Sequence, residues 1–260
     1  MSEIWRRCFH DSDSYISFFY REAFDFITPY VYAVDGVPVS MLHLFDASFV
    51  NGASRLKARY IYAGSTHPDH RRSGYYAALF RYIENEARAN GSVLFGKPAL
   101  REMIPYYQTL GFAQDACFRL VSVCPGESVK LNAYPASPEE YNRMREQAFS
   151  VHPHVEWQDR HVRFCIEENA FFGGKTLALE LDGSLRFLMA AKQDRVLRIS
   201  ETDLSPSELR RIGGALCALF DAELIRAYLP DYCCDEGEEI VSSLVYNAPL
   251  DNTYVNLLMI

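Results

Sequence analysis

The sequence predicts an α/β fold, a mixed central sheet flanked by helices, followed by a second and divergent version of the same plan. Three observations lead there. Between residues 56 and 123 strand-like and helix-like patterns alternate. Asp35-Gly36 and Asp182-Gly183 each sit between apolar runs, the strongest short-range hairpin signal. The order helix, hairpin, strand, helix, strand then recurs in the second half, although letter-level identity between the halves is weak.

Asp11–Phe24 predicts the first helix: Asp11, Ser12, Asp13 and Ser14 offer caps, and Tyr15, Ile16, Phe18, Phe19 and Ala23 give a helical apolar spacing. Residues 30–34 and 37–44 form the first hairpin. Leu56–Gly64, rich in Tyr and Ile, is a strand, and residues 65–74 are a loop. Tyr75–Asn90 is a long amphipathic helix closed by Gly91. Ser92–Gly96 is a short strand, residues 101–110 a helix ended by Gly111, and Phe112–Val123 a strand. Residues 124–128, Cys-Pro-Gly-Glu-Ser, mark a boundary, giving domains at 1–125 and 126–260. Beyond it, helices are expected at 138–149 and 159–169, a hairpin at 175–181 and 185–191, and a strand at 196–200. A helix ending near Phe220 starts at Ser207, with Pro206 early, or near Gly213. Residues 224–229, 239–246 and 254–260 read as strands.

The chain of 260 residues is 49% hydrophobic and 23% charged, with material for a large buried core. No apolar run reaches the roughly 18 residues of a membrane span, and no signal core follows the basic start. The expected location is cytoplasmic, with no membrane partner. The net charge of −8 is uneven: residues 1–125 balance to +1, residues 126–260 to −9. No basic stripe speaks for nucleic acid. Seven cysteines without CxxC spacing read as reduced, mostly buried thiols, and Cys233-Cys234 as neighbours on a strand end or loop rather than a redox or metal pair. His67 and His70, and His152, His154 and His161, lack well-spaced Cys or acidic co-ligands, so they read as loop histidines and no metal is expected.

The most informative stretch is Tyr60–Leu79, YIYAGSTHPDHRRSGYYAAL. It joins a strand, a basic loop with Gly74, and a helix. A pyrophosphate needs backbone N–H donors, a positive helix end and room to approach. Gly74 removes a Cβ, and Arg71 and Arg72 add charge. Neither a Walker loop nor a three-glycine dinucleotide fingerprint is present.

Residues 60–123 resemble the GNAT superfamily of N-acetyltransferases. Arg71-Arg72-Ser73-Gly74-Tyr75-Tyr76 is similar to its acyl-CoA signature, Arg/Gln-x-x-Gly-x-Gly/Ala, and Pro105–Phe112 is similar to its F-Y-x-x-x-G-F helix end. One departure stands out: Tyr76 replaces the usual small final residue. The resemblance implies acyl transfer from acetyl-CoA to a small-molecule or peptide amine by direct attack in a ternary complex. Ala63, Gly64, Ser65 and Thr66 would offer backbone groups to the pantetheine, and residues 71–76 would bind the phosphates. Tyr107 would protonate the departing thiolate. The base is open among His43, His67, Asp46 and Glu102, and an oligomer is compatible with all of this.

Arg210-Arg211-Ile212-Gly213-Gly214-Ala215 also fits the signature and follows a predicted strand. It reads either as a second CoA site or as a helix packed closely at two glycines. The acidic run from Asp231 to Glu239 reads as a solvated loop or as a surface that steers cationic amines. Two rival functions remain, an acyl-CoA sensor without turnover and a scaffold without a ligand.

Overall fold

The computed structural model describes residues 1–126, 129–246 and 253–257. The chain divides into two compact units, each a mixed sheet flanked by helices. The first comprises Met1–Phe49, Ser54–Gln114 and residues 243–246. The second holds Val50–Ala53, most of residues 115–242, and residues 253–257. The predicted linker lies partly outside the described residues, at Glu127 and Ser128.

The first unit opens with α1 (Ser2–Phe9) and α2 (Asp13–Ala23). Ser12 caps α2 by accepting from the Tyr15 amide. Sequence reasoning passed over α1, although Ile4, Trp5, Cys8 and Phe9 recur at helical spacing. Trp5 is buried against Phe19, with ring centroids 4.6 Å apart, and its indole N–H donates to Asp11. Complete burial of a side chain such as Phe19 contributes roughly 1.5–3 kcal/mol. The sheet follows the order β1 (Ile27–Val34), β2 (Val37–Asn51), β3 (Ser54–Thr66), β4 (Val93–Gly96), then residues 243–246 of β12 (Glu238–Tyr246). The Asp35-Gly36 turn joins β1 to β2 as predicted, both residues having positive φ. Helix α3 (Tyr75–Asn90) connects β3 to β4, which run parallel, and its apolar face buries Leu79, Phe80 and Ile83. A short α4 (Ile104–Thr109) follows.

The second unit repeats the plan. Its sheet runs β5 (Phe112–Val123), β11 (Leu224–Pro230), β10 (Val196–Thr202), β9 (Ser184–Gln193), β8 (Lys175–Leu181), β6 (Asn132–Pro135). Only β10 and β11 among these neighbours pair in parallel, joined by α7 (Pro206–Phe220). Helices α5 (Pro138–Phe149) and α6 (Asp159–Phe171) pack in the same unit, close to their predicted bounds. A short β7 (His154–Glu156) lies between them. The predicted strand at 254–260 is not formed in its described part, where Tyr254 makes a single bridge to His154; residues 258–260 lie outside the described residues. No helix among the described residues is long and apolar enough to cross a membrane.

Candidate functional site

The site is built at the end of β3. His67 opens a 3-10 turn, Pro68–His70, by accepting from the Asp69 amide at 3.3 Å. Residues 71–74 then lead into α3. Gly74 is the N-cap, with φ +79, a conformation that favours glycine. No side chain caps this helix, and a Cβ at Gly74 would meet open space. The N–H groups of the first turn therefore have no intrahelical acceptor, and among the described residues no side chain caps the positive end of this 16-residue helix. Arg72 is exposed with φ +64, and among the described residues no partner holds its guanidinium. Arg71 is engaged locally: its Nε donates to the Thr66 carbonyl at 3.4 Å, and its guanidinium lies 3.8 Å from Cys8 Sγ.

Inward, β3 and β4 pair in register over Ala58–Ile61 and Val93–Gly96. Beyond Ile61, β3 continues alone on this side, with Ala63 at φ +51 breaking the regular strand. A cleft of about 800 Å³ opens there. One wall is Gly64, Ser65 and Thr66, another is the loop and first turn of α3, and a third is Leu100, Met103, Tyr106 and Tyr107. The end of α1 supplies Arg7, Cys8, Phe9 and His10. Of the predicted residues, Gly64, Ser65, Thr66, Arg71, Arg72, Gly74, Tyr75, Tyr76 and Tyr107 line the cleft. Ala63 and Ser73 do not. Two carbonyls expected to serve a ligand are already used: Ser40 donates to that of Ser65 at 2.8 Å, and Cys8 to that of Thr66 at 3.2 Å.

Tyr76, the departure from the signature, crosses the inner end of the cleft. A Cβ on Gly64 would stand 2.6 Å from the Tyr76 hydroxyl and 2.9 Å from its ring, so only glycine permits this approach. The hydroxyl is buried and, among the described residues, makes no hydrogen bond of good geometry, its polar neighbour being the Tyr107 hydroxyl. Burial pushes its pKa well above the usual phenol range, and the adjacent Tyr107 adds to this. Burial also raises Tyr107, while the Tyr76 hydroxyl pulls it part of the way back.

The four residues considered for a base lie elsewhere. His43 is wholly buried beside Trp5, Phe19 and Tyr20, and burial lowers its pKa to about 4. Asp46 pairs with Arg59. Neither His67 nor Glu102 lines the cleft. The imidazoles that do are His70 and His10. His10 escaped sequence reasoning, because its place depends on how α1 folds back.

The second signature match has another fate. Residues 210–215 lie in the middle of α7, not at its start. Ser205 and Glu208 form a capping box, so the N-terminal amides are served by the helix's own side chains. Arg210 pairs with Glu236 and Arg211 with Asp182. Gly213 is packed so closely that a Cβ would come 3.2 Å from Pro125 Cα. Of the two readings of this segment, the geometry is that of a closely packed helix.

Elsewhere in this unit, the acidic run is partly spent in ion pairs, Asp231 and Glu239 meeting Arg119 and Glu236 meeting Arg210. All seven thiols are free, but only Cys165, Cys217 and Cys234 are fully buried; Cys124 and Cys233 are exposed, against the expectation of mostly buried thiols. Cys233 ends a 3-10 turn at the chain surface. Among the described residues no group of three or more His, Cys, Asp or Glu could hold a metal.

Residues 1–114 match the family model described as an acetyltransferase (GNAT) domain. No curated protein matches the sequence. Solved structures share the fold across nearly the whole chain. A conserved protein of unknown function from Enterococcus faecalis V583 has a TM-score of 0.72 at 10% identity, covering 94% of this chain and 68% of that one. A GCN5-related N-acetyltransferase from Kribbella flavida gives 0.68 at 16% identity, with 94% and 66% covered. Eis1 from Mycobacterium abscessus gives 0.63 at 14%, with 92% and 71% covered. The chain spans about two thirds of the length of these structures.

Proposed function

From a chain whose first 114 residues match the family model of a GNAT acetyltransferase domain, we propose that it moves an acetyl group from acetyl-CoA to a primary amine by direct attack in a ternary complex. Residues 1–125 would hold the donor, and residues 126–260 would be a divergent domain without a donor of its own. The observation that carries the reading is the uncapped N-terminus of α3, opening onto a cleft that leads past Gly64 to Tyr107.

The roles follow from the chemistry. The N–H groups at the start of α3, with Gly74 leaving room, hold the pyrophosphate, and Arg72 adds an unspent positive charge. The amine nitrogen attacks the thioester carbonyl, and proximity in the cleft supplies much of the rate. The tetrahedral oxyanion takes a hydrogen bond from a backbone amide near Gly64. As the C–S bond breaks, Tyr107 gives its proton to the thiolate and its phenolate takes back, directly or through water, the proton that the attacking nitrogen sheds, which yields CoA-SH and the amide and restores Tyr107. The amine must lose a proton before attack. His10 and His70 are the imidazoles on the cleft wall that can accept it, directly or through water.

The test is steady-state release of CoA thiol across a panel of amines. Turnover is expected with at least one of them, and Tyr107→Phe should lower kcat about 10- to 100-fold with little change in KM for acetyl-CoA. A second reading, a donor-binding sensor without turnover, is favoured by the Tyr76 ring at the inner end of the cleft. Acetyl-CoA binding with no thiol release from any amine would select it.

A further inference from the structure

Under the reading of the cleft as an acyl-CoA site, the donor must run from the amides at the start of α3 inward to Gly64. One side chain of the protein already spans that distance. Tyr76 leaves the backbone in the first turn of α3, and its hydroxyl arrives over Gly64. We propose that Tyr76 sets the donor affinity of this protein, because its ring rests in the inner part of the slot and acyl-CoA binds by displacing it.

Three observations support this. The approach to Gly64 is so close that no other residue at position 64 would allow it. The ring thus sits against backbone that, at any non-glycine residue, would carry a side chain. Second, the ring is badly served where it rests. A buried tyrosine hydroxyl normally finds a well-placed acceptor, yet among the described residues this one makes no hydrogen bond of good geometry and only a loose approach to the Tyr107 hydroxyl. The apolar ring gains from cover, while the poorly paired hydroxyl loses its water, so the seat is only weakly held. Third, the ring has somewhere to go. Leu100, Met103 and Tyr106 line the same cleft and are 63%, 39% and 38% exposed. Tyr106 is already a ring neighbour of Tyr76, with centroids 6.3 Å apart. Swung outward, the Tyr76 ring would cover this apolar rim and return its hydroxyl to water.

A self-occupied slot weakens binding by the fraction of molecules in which it is open. Removing the ring removes that factor. Removing only the hydroxyl does the opposite, because the ring then seats without a buried, poorly paired polar group. The two substitutions therefore have opposite signs, which a merely supporting aromatic residue would not give.

Calorimetric titration with CoA tests this on the full chain. Tyr76→Ala should bind CoA about tenfold more tightly than the native protein, and Tyr76→Phe about threefold more weakly. The inference is overturned if Tyr76→Ala binds no tighter, or if Tyr76→Phe binds tighter, than the native chain. Should Tyr76→Ala fail to fold, the sign of the Tyr76→Phe change decides. If the native protein and both folded variants give no heat with CoA, the reading of the cleft as a donor site falls as well. If the native protein binds but the order of the variants is wrong, only the role of Tyr76 falls.

Discussion

The two units place a parallel strand pair and a connecting helix in the same order, yet treat the helix start in opposite ways. In the first, β3 and β4 part after Ile61, and α3 begins at an uncapped glycine facing a cleft. In the second, β10 and β11 pair in parallel only from Val196 to Ile199, and α7 begins with a complete capping box. The Glu208 carboxylate stands where an anion would otherwise be drawn. Past Ile199 the register shifts, and the Ser200 carbonyl accepts from Asn256 at 2.7 Å. Glu201 is completely buried there, held by Arg145 at 3.1 Å and Tyr141 at 2.9 Å. Burial works against both charges, raising Glu201, while Glu201 and Glu146 raise Arg145 in spite of it. One plan thus yields a helix end without a side-chain cap in one case and a self-capped one in the other.

The largest expected effect breaks the open side. Under the proposed function, Gly74→Glu should weaken CoA binding by about 100-fold or more, near 2.7 kcal/mol, by putting a carboxylate at the amides proposed to hold the phosphates. Gly74→Ala should cost only the strain of a positive φ, about 1 kcal/mol of stability. Equal CoA affinity in native and Gly74→Glu proteins, read by titration, would move the donor site away from α3.

On the closed side, Glu201→Ala should destabilise the second unit by up to about 3–5 kcal/mol, since buried Arg145 loses its fully buried counter-ion and keeps Glu146, at 2.7 Å. Urea melts would show it; a loss under about 1 kcal/mol would mean that the pair is not held as described. The same argument leaves CoA affinity at the first unit unaltered in molecules that remain folded.

Acid should loosen both units. His43 in the first and His161 in the second are buried neutral, with pKa lowered by burial to about 4 and about 3. A histidine depressed in the folded state stabilises above its unfolded value, about 6.5, and that contribution is lost as pH falls. For His43 the loss runs from about pH 6.5 to about 4 and amounts to about 3 kcal/mol at most. His43→Leu should flatten the pH dependence of the urea midpoint over this range. An unchanged slope would show that His43 is not held neutral.

The smallest effect sharpens the comparison. Ser205→Ala should cost about 1 kcal/mol and leave one CoA bound per chain. A second equivalent of CoA appearing in this variant would make α7 a masked donor site rather than a structural helix.

Much of this was legible in the residues. The Asp-Gly hairpins, the span of α3 and its closing Gly91, and the Arg71–Gly74 loop depend on local rules of turn, cap and period, and they stand where those rules put them. The shared Arg-Arg-x-Gly letters left two readings open at residues 210–215. A Gly-containing match to the signature is a phosphate loop only at a helix start, and Ser205-Pro206 had begun the helix earlier. Helix α1 was readable from Ile4, Trp5, Cys8 and Phe9, but its contribution of Arg7 and His10 to the cleft was not.

By itself the sequence determined the order of elements, the repeated plan, and a glycine-opened helix start with two arginines, because each is encoded within a few neighbouring residues. Tertiary structure decided which side chains share the cleft, that Tyr76 lies across Gly64, and that Arg71 turns to Thr66 and Cys8. Those outcomes join residues far apart in the chain. They are fixed by packing and burial, which no local pattern records.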